Sequence, residues 1–91
     1  CCPYTGAHIG MAMLFSGEVE IEHILPFSMT LDDSLNNKTV ALRRANRDKG
    51  NRTPFDAFGN SPAGYDYEAI LQRAAMMPPN KRKRFAPDGY Q

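Results

Sequence analysis

The sequence predicts an α+β fold, a short two-stranded antiparallel hairpin surrounded by helices. Three observations lead there. Val19 to Ile24 alternates apolar and polar residues, as a half-buried strand does, and Lys38-Thr39-Val40-Ala41-Leu42 is a second β-prone run. A basic segment, Arg43 to Lys49, follows directly and is closed by Gly50, so residues 18–50 read as strand, loop, strand, short helix. Residues 53–85 then carry two helix starts with caps and an apolar stripe.

Taken in order, Tyr4-Thr5-Gly6 is turn chemistry in the entry segment. Met11, Leu14 and Phe15 fall at helical spacing before Ser16-Gly17, which predicts one or two helical turns whose apolar face pads the core. After the Pro26 break, Leu31 to Asn37 is dense in residues that bond their own backbone, so a structured loop is expected. Asn37, at the mouth of the second strand, is placed to tie that loop to the strand carrying Glu22 and His23. Thr53-Pro54-Phe55-Asp56 is a helix start with threonine as N-cap and proline in the first position. Phe55 and Phe58 are expected to share a face, with Gly59 ending the helix. Asp66 caps the longest helix, where Tyr67, Ile70, Leu71 and Ala74 form the stripe and Pro78-Pro79 the end. The basic run before Pro87 suits one more turn, and the last residues are expected to fray.

Ninety-one residues with 42% hydrophobic and 23% charged content describe one globular domain and exclude a disordered tail. No apolar run approaches the roughly 20 residues of a membrane helix, and the opening lacks a signal-peptide pattern. The chain starts without methionine in a folded-looking pattern, which reads as a domain, residues 1–91, excised from a larger protein. Net charge is +1, so bulk electrostatics argue for no particular partner. Arg43, Arg44, Arg47, Lys49 and Arg52 nevertheless cluster, as do Lys81-Arg82-Lys83-Arg84; either cluster is a phosphate-binding surface or a solvated basic face. Adjacent Cys1 and Cys2 make no C-x-x-C pair. They read as thiols in a reducing compartment rather than as zinc ligands with His8 and His23.

Glu22 and His23 stand side by side at the end of the first strand, and Asn46 lies in the basic helix. A carboxylate and an amide carbonyl are hard oxygen donors that suit Mg²⁺ or Mn²⁺ completed by water and phosphate. A neighbouring neutral imidazole can take a proton from an attacking water. Successive strand residues point to opposite faces, so such a site requires the strand to twist or end there. Otherwise His23 is a half-buried strand histidine and Glu22 a solvent carboxylate. Asp32 and Asp33 resemble a metal pair but fit a loop-holding role better.

The segments Glu22-His23-Ile24-Leu25-Pro26-Phe27-Ser28, Leu31-Asp32-Asp33-Ser34, Asn36-Asn37-Lys38 and Asn46-Arg47-Asp48-Lys49-Gly50-Asn51 together resemble the HNH nuclease domain of CRISPR-associated type II RNA-guided DNA endonucleases, most of all the compact type II-C enzymes. Cys2-Pro3-Tyr4-Thr5-Gly6 and Asn51-Arg52-Thr53-Pro54-Phe55 extend the likeness from about residue 2 to about residue 58. The resemblance implies a ββα-metal core over residues 18–50 with a helical part over 53–85. It implies that His23 activates water, that Glu22 and Asn46 hold one Mg²⁺ (or Mn²⁺), and that the guide-paired DNA strand is cut to a 5′-phosphate and a 3′-hydroxyl. Sequence choice would come from guide pairing, leaving backbone contacts to this domain. Asn37, Lys38, Arg43, Arg47 and Lys49 are the candidates for those contacts. The implied partners are the target strand in an RNA–DNA heteroduplex and the other domains of a parent enzyme in the bacterial cytoplasm. No membrane is implied, and the fragment alone is expected to be monomeric. The family places aspartate directly before the histidine; this chain has Glu22, one methylene longer. The alternatives are a ββα module that binds nucleic acid without catalysis, and a free-standing HNH endonuclease of the restriction or homing type.

Overall fold

The computed structural model describes residues 1–89, so the expected fraying of the last residues, Tyr90 and Gln91, lies outside the described residues. Strands β1 (Val19–His23) and β2 (Lys38–Leu42) pair antiparallel, Val19 opposite Leu42 and His23 opposite Lys38. Both strands occupy the two β-prone runs of the sequence. Helix α2 (Arg43–Lys49) leaves β2 without a linker and folds back along the hairpin, and Gly50 ends it at a φ of 59°. The two-stranded hairpin with its helix is thus the ββα arrangement expected over residues 18–50.

The connection between the strands is built, as expected, on its own polar residues, with one short helix, α1 (Phe27–Thr30), that the sequence did not announce. Asn37 is completely buried and staples the loop: its Oδ1 accepts from the Leu25 N–H at 2.9 Å, and its Nδ2 donates to the carbonyls of Leu25 and Asp32. Asp32 accepts from both the amide and the hydroxyl of Ser34, and its other oxygen accepts from Arg84 Nη2 at 2.9 Å. That last bond ties the loop to the end of the chain.

The core lies between the hairpin, α2 and the C-terminal helices. Tyr4, Ile24, Ala45, Phe58, Ile70, Ala74 and Phe85 are all essentially without exposure. The Tyr4 ring sits between Phe58 and Phe85, with centroids 5.1 and 5.9 Å away. The entry turn is held by Arg73, which donates to the Pro3 carbonyl and covers Gly6; a Cβ there would meet the guanidinium at 2.7 Å, and the φ is +78°. Glycine is therefore required at this position. Both caps form as the sequence states them. Thr53 Oγ1 accepts from Asp56 N ahead of α3 (Pro54–Phe58), and Asp66 accepts from Glu68 N and Ala69 N ahead of α4 (Tyr67–Ala74). Helix α4 buries Tyr67, Ile70 and Ala74. Pro79 does not end α4, which stops at Ala74, but opens α5 (Pro79–Arg82), followed by a 3₁₀ turn at Lys83–Phe85. Among the described residues no helix is long and apolar enough to cross a membrane.

Two packing expectations fail. Met11–Phe15 is a 3₁₀ turn with no buried residue, and Met11 and Phe15 are 76% and 86% exposed. At three residues per turn, Met11 and Leu14 stack on one outward row instead of sharing an inward α-helical face. Phe55 and Phe58 also separate: Phe58 enters the core, whereas Phe55 stays 40% exposed against the Tyr67 ring.

The Asp32 tether makes the loop acid-sensitive. Its hydrogen bonds from Ser34, then from Arg84, hold the Asp32 carboxyl down at about 2, below the usual value of about 3.9. A depressed carboxyl contributes stability that is present above the unfolded value and lost as pH falls through the folded one. Acidification from about pH 4 to about pH 2 should therefore release Arg84 and increase amide exchange in residues 83–86, and Asp32→Asn should show that faster exchange already at neutral pH. Unchanged protection in the variant would rule the tether out.

Candidate active site

Glu20 and Glu22 alternate with Ile21 on β1 and so present their carboxylates to the same side, toward α2. On α2, Asn46 and Lys49 are three residues apart and share the helix face toward the hairpin. The result is two rungs. Asn46 Nδ2 donates to Glu20 Oε1 at 2.6 Å, and Lys49 Nζ donates to Glu22 Oε2 at 3.1 Å. The Tyr4 hydroxyl donates to the other Glu22 oxygen, and Lys49 also reaches the His23 carbonyl at 2.9 Å. The Glu22 and Lys49 side chains are each 2% exposed. Burial pushes the Glu22 carboxyl up and the Lys49 ammonium down from their ordinary values, while their mutual attraction opposes both shifts. Burial and the adjacent Glu22 carboxylate push the Tyr4 phenol well up, keeping it a donor.

The strand ends at His23, and the chain turns through Ile24, Leu25 and Pro26. Glu22, His23 and Asn46 are among the residues that line one cleft of about 240 Å³, together with Pro26, Ser28 and Asn51. The His23 ring lies 5.5 Å from that of Phe27. Its Nε2 is 2.7 Å from Asp33 Oδ1, which Lys38 Nζ also approaches at 3.0 Å. Hydrogen bonds to His23, then to Lys38, hold the Asp33 carboxyl below its usual range. A larger hollow of about 420 Å³, lined by Ala7, Met13, Gly17, Glu18 and Leu42 among others, brings no histidine to its wall.

The donor set suits a hard divalent cation. Asn46 spends its amide nitrogen on Glu20, and its Oδ1 makes no hydrogen bond among the described residues. Glu22 accepts one bond at each oxygen, where an ionised carboxylate has room for about four. Two protein oxygens with water and phosphate completing the shell match magnesium's habit. Among the described residues, no group of three or more His, Cys, Asp and Glu side chains gathers as a metal cage.

The five residues expected at a phosphate surface divide. Arg43 and Arg47 are exposed on α2, and Lys38 is half-buried beside Asp33. Asn37 and Lys49, at 0% and 1% exposure, are not available to a DNA backbone in this fold. Asn37 is spent on the loop's backbone, and Lys49 compensates the buried Glu22 charge. Glu20, Asp33 and Tyr4 escaped the sequence reading as site residues. Period-two alternation puts Glu20 on the Glu22 face, and the spacing of Ala45, Asn46 and Lys49 marks the face that must cover the hairpin; nothing local points to Tyr4 or Asp33.

Comparison with known proteins gives the family and the fold. The HNH endonuclease family matches residues 2–55. The CRISPR-associated endonuclease Cas9 of Campylobacter jejuni is 39% identical over 84 residues, covering 91% of this chain and 8% of that protein. CRISPR-associated endonuclease Cas9 1 of Streptococcus thermophilus is 36% identical over 88 residues, covering 92% and 8%. A crystal structure of Streptococcus thermophilus Cas9 in complex with the AGAA PAM superposes with a TM-score of 0.81 at 30% identity, covering 92% of this chain and 9% of that one. The chain thus spans under a tenth of the length of these relatives.

Proposed function

This chain belongs to the HNH endonuclease family, and from that membership we propose that it hydrolyses a DNA phosphodiester with His23 as general base and Glu22 and Asn46 as the ligands of one Mg²⁺. The observation that supports this reading is the single cleft shared by Glu22, His23 and Asn46. We further propose that residues 1–91 act as one domain of a longer RNA-guided enzyme, on the strand paired to the guide. The size of the Cas9 relatives and their names, CRISPR-associated endonucleases, support a place within a longer enzyme.

In this mechanism Asn46 and Glu22 offer their oxygens from the helix and the strand, and Glu20 orients the Asn46 amide. A bound divalent cation would supply charge compensation on the phosphate and on the departing sugar oxygen. His23 takes a proton from water as the water oxygen bonds to phosphorus. The bond from phosphorus to the 3′ oxygen breaks, and that oxygen takes a proton from solvent, leaving a 5′-phosphate and a 3′-hydroxyl. Arg43, Arg47 and Lys38 hold flanking phosphates, an interaction that weakens with salt.

The test is a Mg²⁺ titration of the chain followed by amide NMR, alone and with a short DNA duplex. Saturable shifts at Glu22, His23 and Asn46, absent in Glu22→Ala, are expected. If neither titration moves those amides, the metal-dependent reading fails, and salt-sensitive duplex binding indifferent to Mg²⁺ would identify a binding module instead.

A further inference from the structure

His23 is held by a residue that does not line the cleft shared with Glu22 and Asn46. Asp33 comes from the loop between the strands, ten residues later in the chain, and its Oδ1 lies 2.7 Å from His23 Nε2. An ionised carboxylate only accepts, so the proton of the pair sits on Nε2. A neutral ring protonated at Nε2 carries its lone pair on Nδ1, and Nδ1 makes no hydrogen bond among the described residues. Asp33 is itself placed twice. Lys38 Nζ stands 3.0 Å from the same oxygen, and Lys38 is the residue paired with His23 across the hairpin. The loop that carries Asp33 is stapled through Asn37 and Asp32. The Phe27 ring limits His23 on another side.

We propose that Asp33 is a positioning residue for His23: it fixes the imidazole as the Nε2–H tautomer and leaves Nδ1 as the nitrogen that accepts the proton from water. The assignment rests on the catalytic reading of His23 given above. Asp33 touches His23 but is not itself among the residues that line the cleft, so its effect passes through the ring. Its side chain is 64% exposed, and water competes with the bond in the free chain; a DNA strand laid over the site would remove that competition and strengthen it.

Two measurements test the role. In the chain itself, ring ¹⁵N correlations should show His23 with a protonated Nε2 and a bare Nδ1, and Asp33→Leu should move both nitrogens toward tautomer-averaged shifts with the amide spectrum otherwise preserved. In the full-length enzyme, Asp33→Leu should lower kcat for cleavage about 10–100-fold, by analogy with the loss seen when the outer-shell partner of a metal-ligating histidine is removed. KM should be unchanged, because phosphate contacts remain. If Asp33→Leu leaves the ring nitrogens and kcat unchanged, or speeds cutting by freeing Nε2, the positioning role is overturned while His23 stands. A loss confined to KM would mean that Asp33 acts by placing Lys38 against the DNA phosphate rather than by orienting the ring, and also overturns it. If His23→Ala cuts normally, the catalytic reading itself has failed, and the two failures are thereby told apart.

Discussion

With His23 as the proposed general base, replacing it with alanine should slow single-turnover DNA cleavage about 10²–10⁴-fold, the usual contribution of such a group. That range corresponds to roughly 3–5 kcal/mol of transition-state stabilisation. The fold should survive, because His23 is only partly buried and its side chain bonds an exposed aspartate. DNA binding should remain within about twofold, since affinity for nucleic acid comes mainly from phosphate neutralisation by basic side chains. A variant that loses DNA binding in proportion to cleavage would show that His23 holds structure instead. A variant that cuts at the parent rate would remove the chemistry from this cleft altogether.

The second large effect concerns stability. Lys49→Met should destabilise the chain by about 3–5 kcal/mol at neutral pH, because it strands the buried Glu22 carboxylate without its counter-charge. For a domain of this size that lowers Tm by on the order of 12 °C or more. The sign of the pH dependence follows from burial, which already pushes the Glu22 carboxyl upward and would push it further without Lys49. A carboxyl raised in the folded state contributes stability that is fully present below its unfolded value, about 4.3, and is lost as pH rises through the folded one. The deficit of Lys49→Met should therefore shrink toward about pH 4, and adding Glu22→Gln should recover much of it at pH 7. Urea midpoints at the two pH values, with an unchanged slope, measure this directly. A loss below about 1 kcal/mol that is the same at both pH values would mean that water enters the pair and that it behaves like a surface bridge.

Where the resemblance places an aspartate, this buried pair is built on Glu22, one methylene longer. The longer Glu22 side chain reaches inward to the Tyr4 hydroxyl and the Lys49 ammonium, and the entry segment is joined to the site through Tyr4. The residue expected to hold the metal is thus tied to the hydrophobic core that Tyr4 builds with Phe58 and Phe85.

The features legible in the sequence are those set by neighbours along the chain. Both strands, α2 with Gly50 at its end, and the caps of Thr53 and Asp66 are local, decided by alternation, positive φ and side-chain bonds to nearby amides. Asn37 could be placed as the loop's tie because its donors and acceptors lie close in the chain or at the strand mouth. The local signal misled at Met11–Phe15, where apolar spacing alone does not say whether the turn is α or 3₁₀. Only the tertiary structure decided that Lys49 is a buried counter-ion rather than a phosphate contact. It also decided that Glu20 holds Asn46, and that Asp33 and Tyr4 stand against His23 and Glu22. Each of those contacts joins residues ten or more positions apart. Their existence depends on how α2 and the entry segment fold against the hairpin, and a charged residue's partner is set by that closure in space, which periodicity along the chain does not encode.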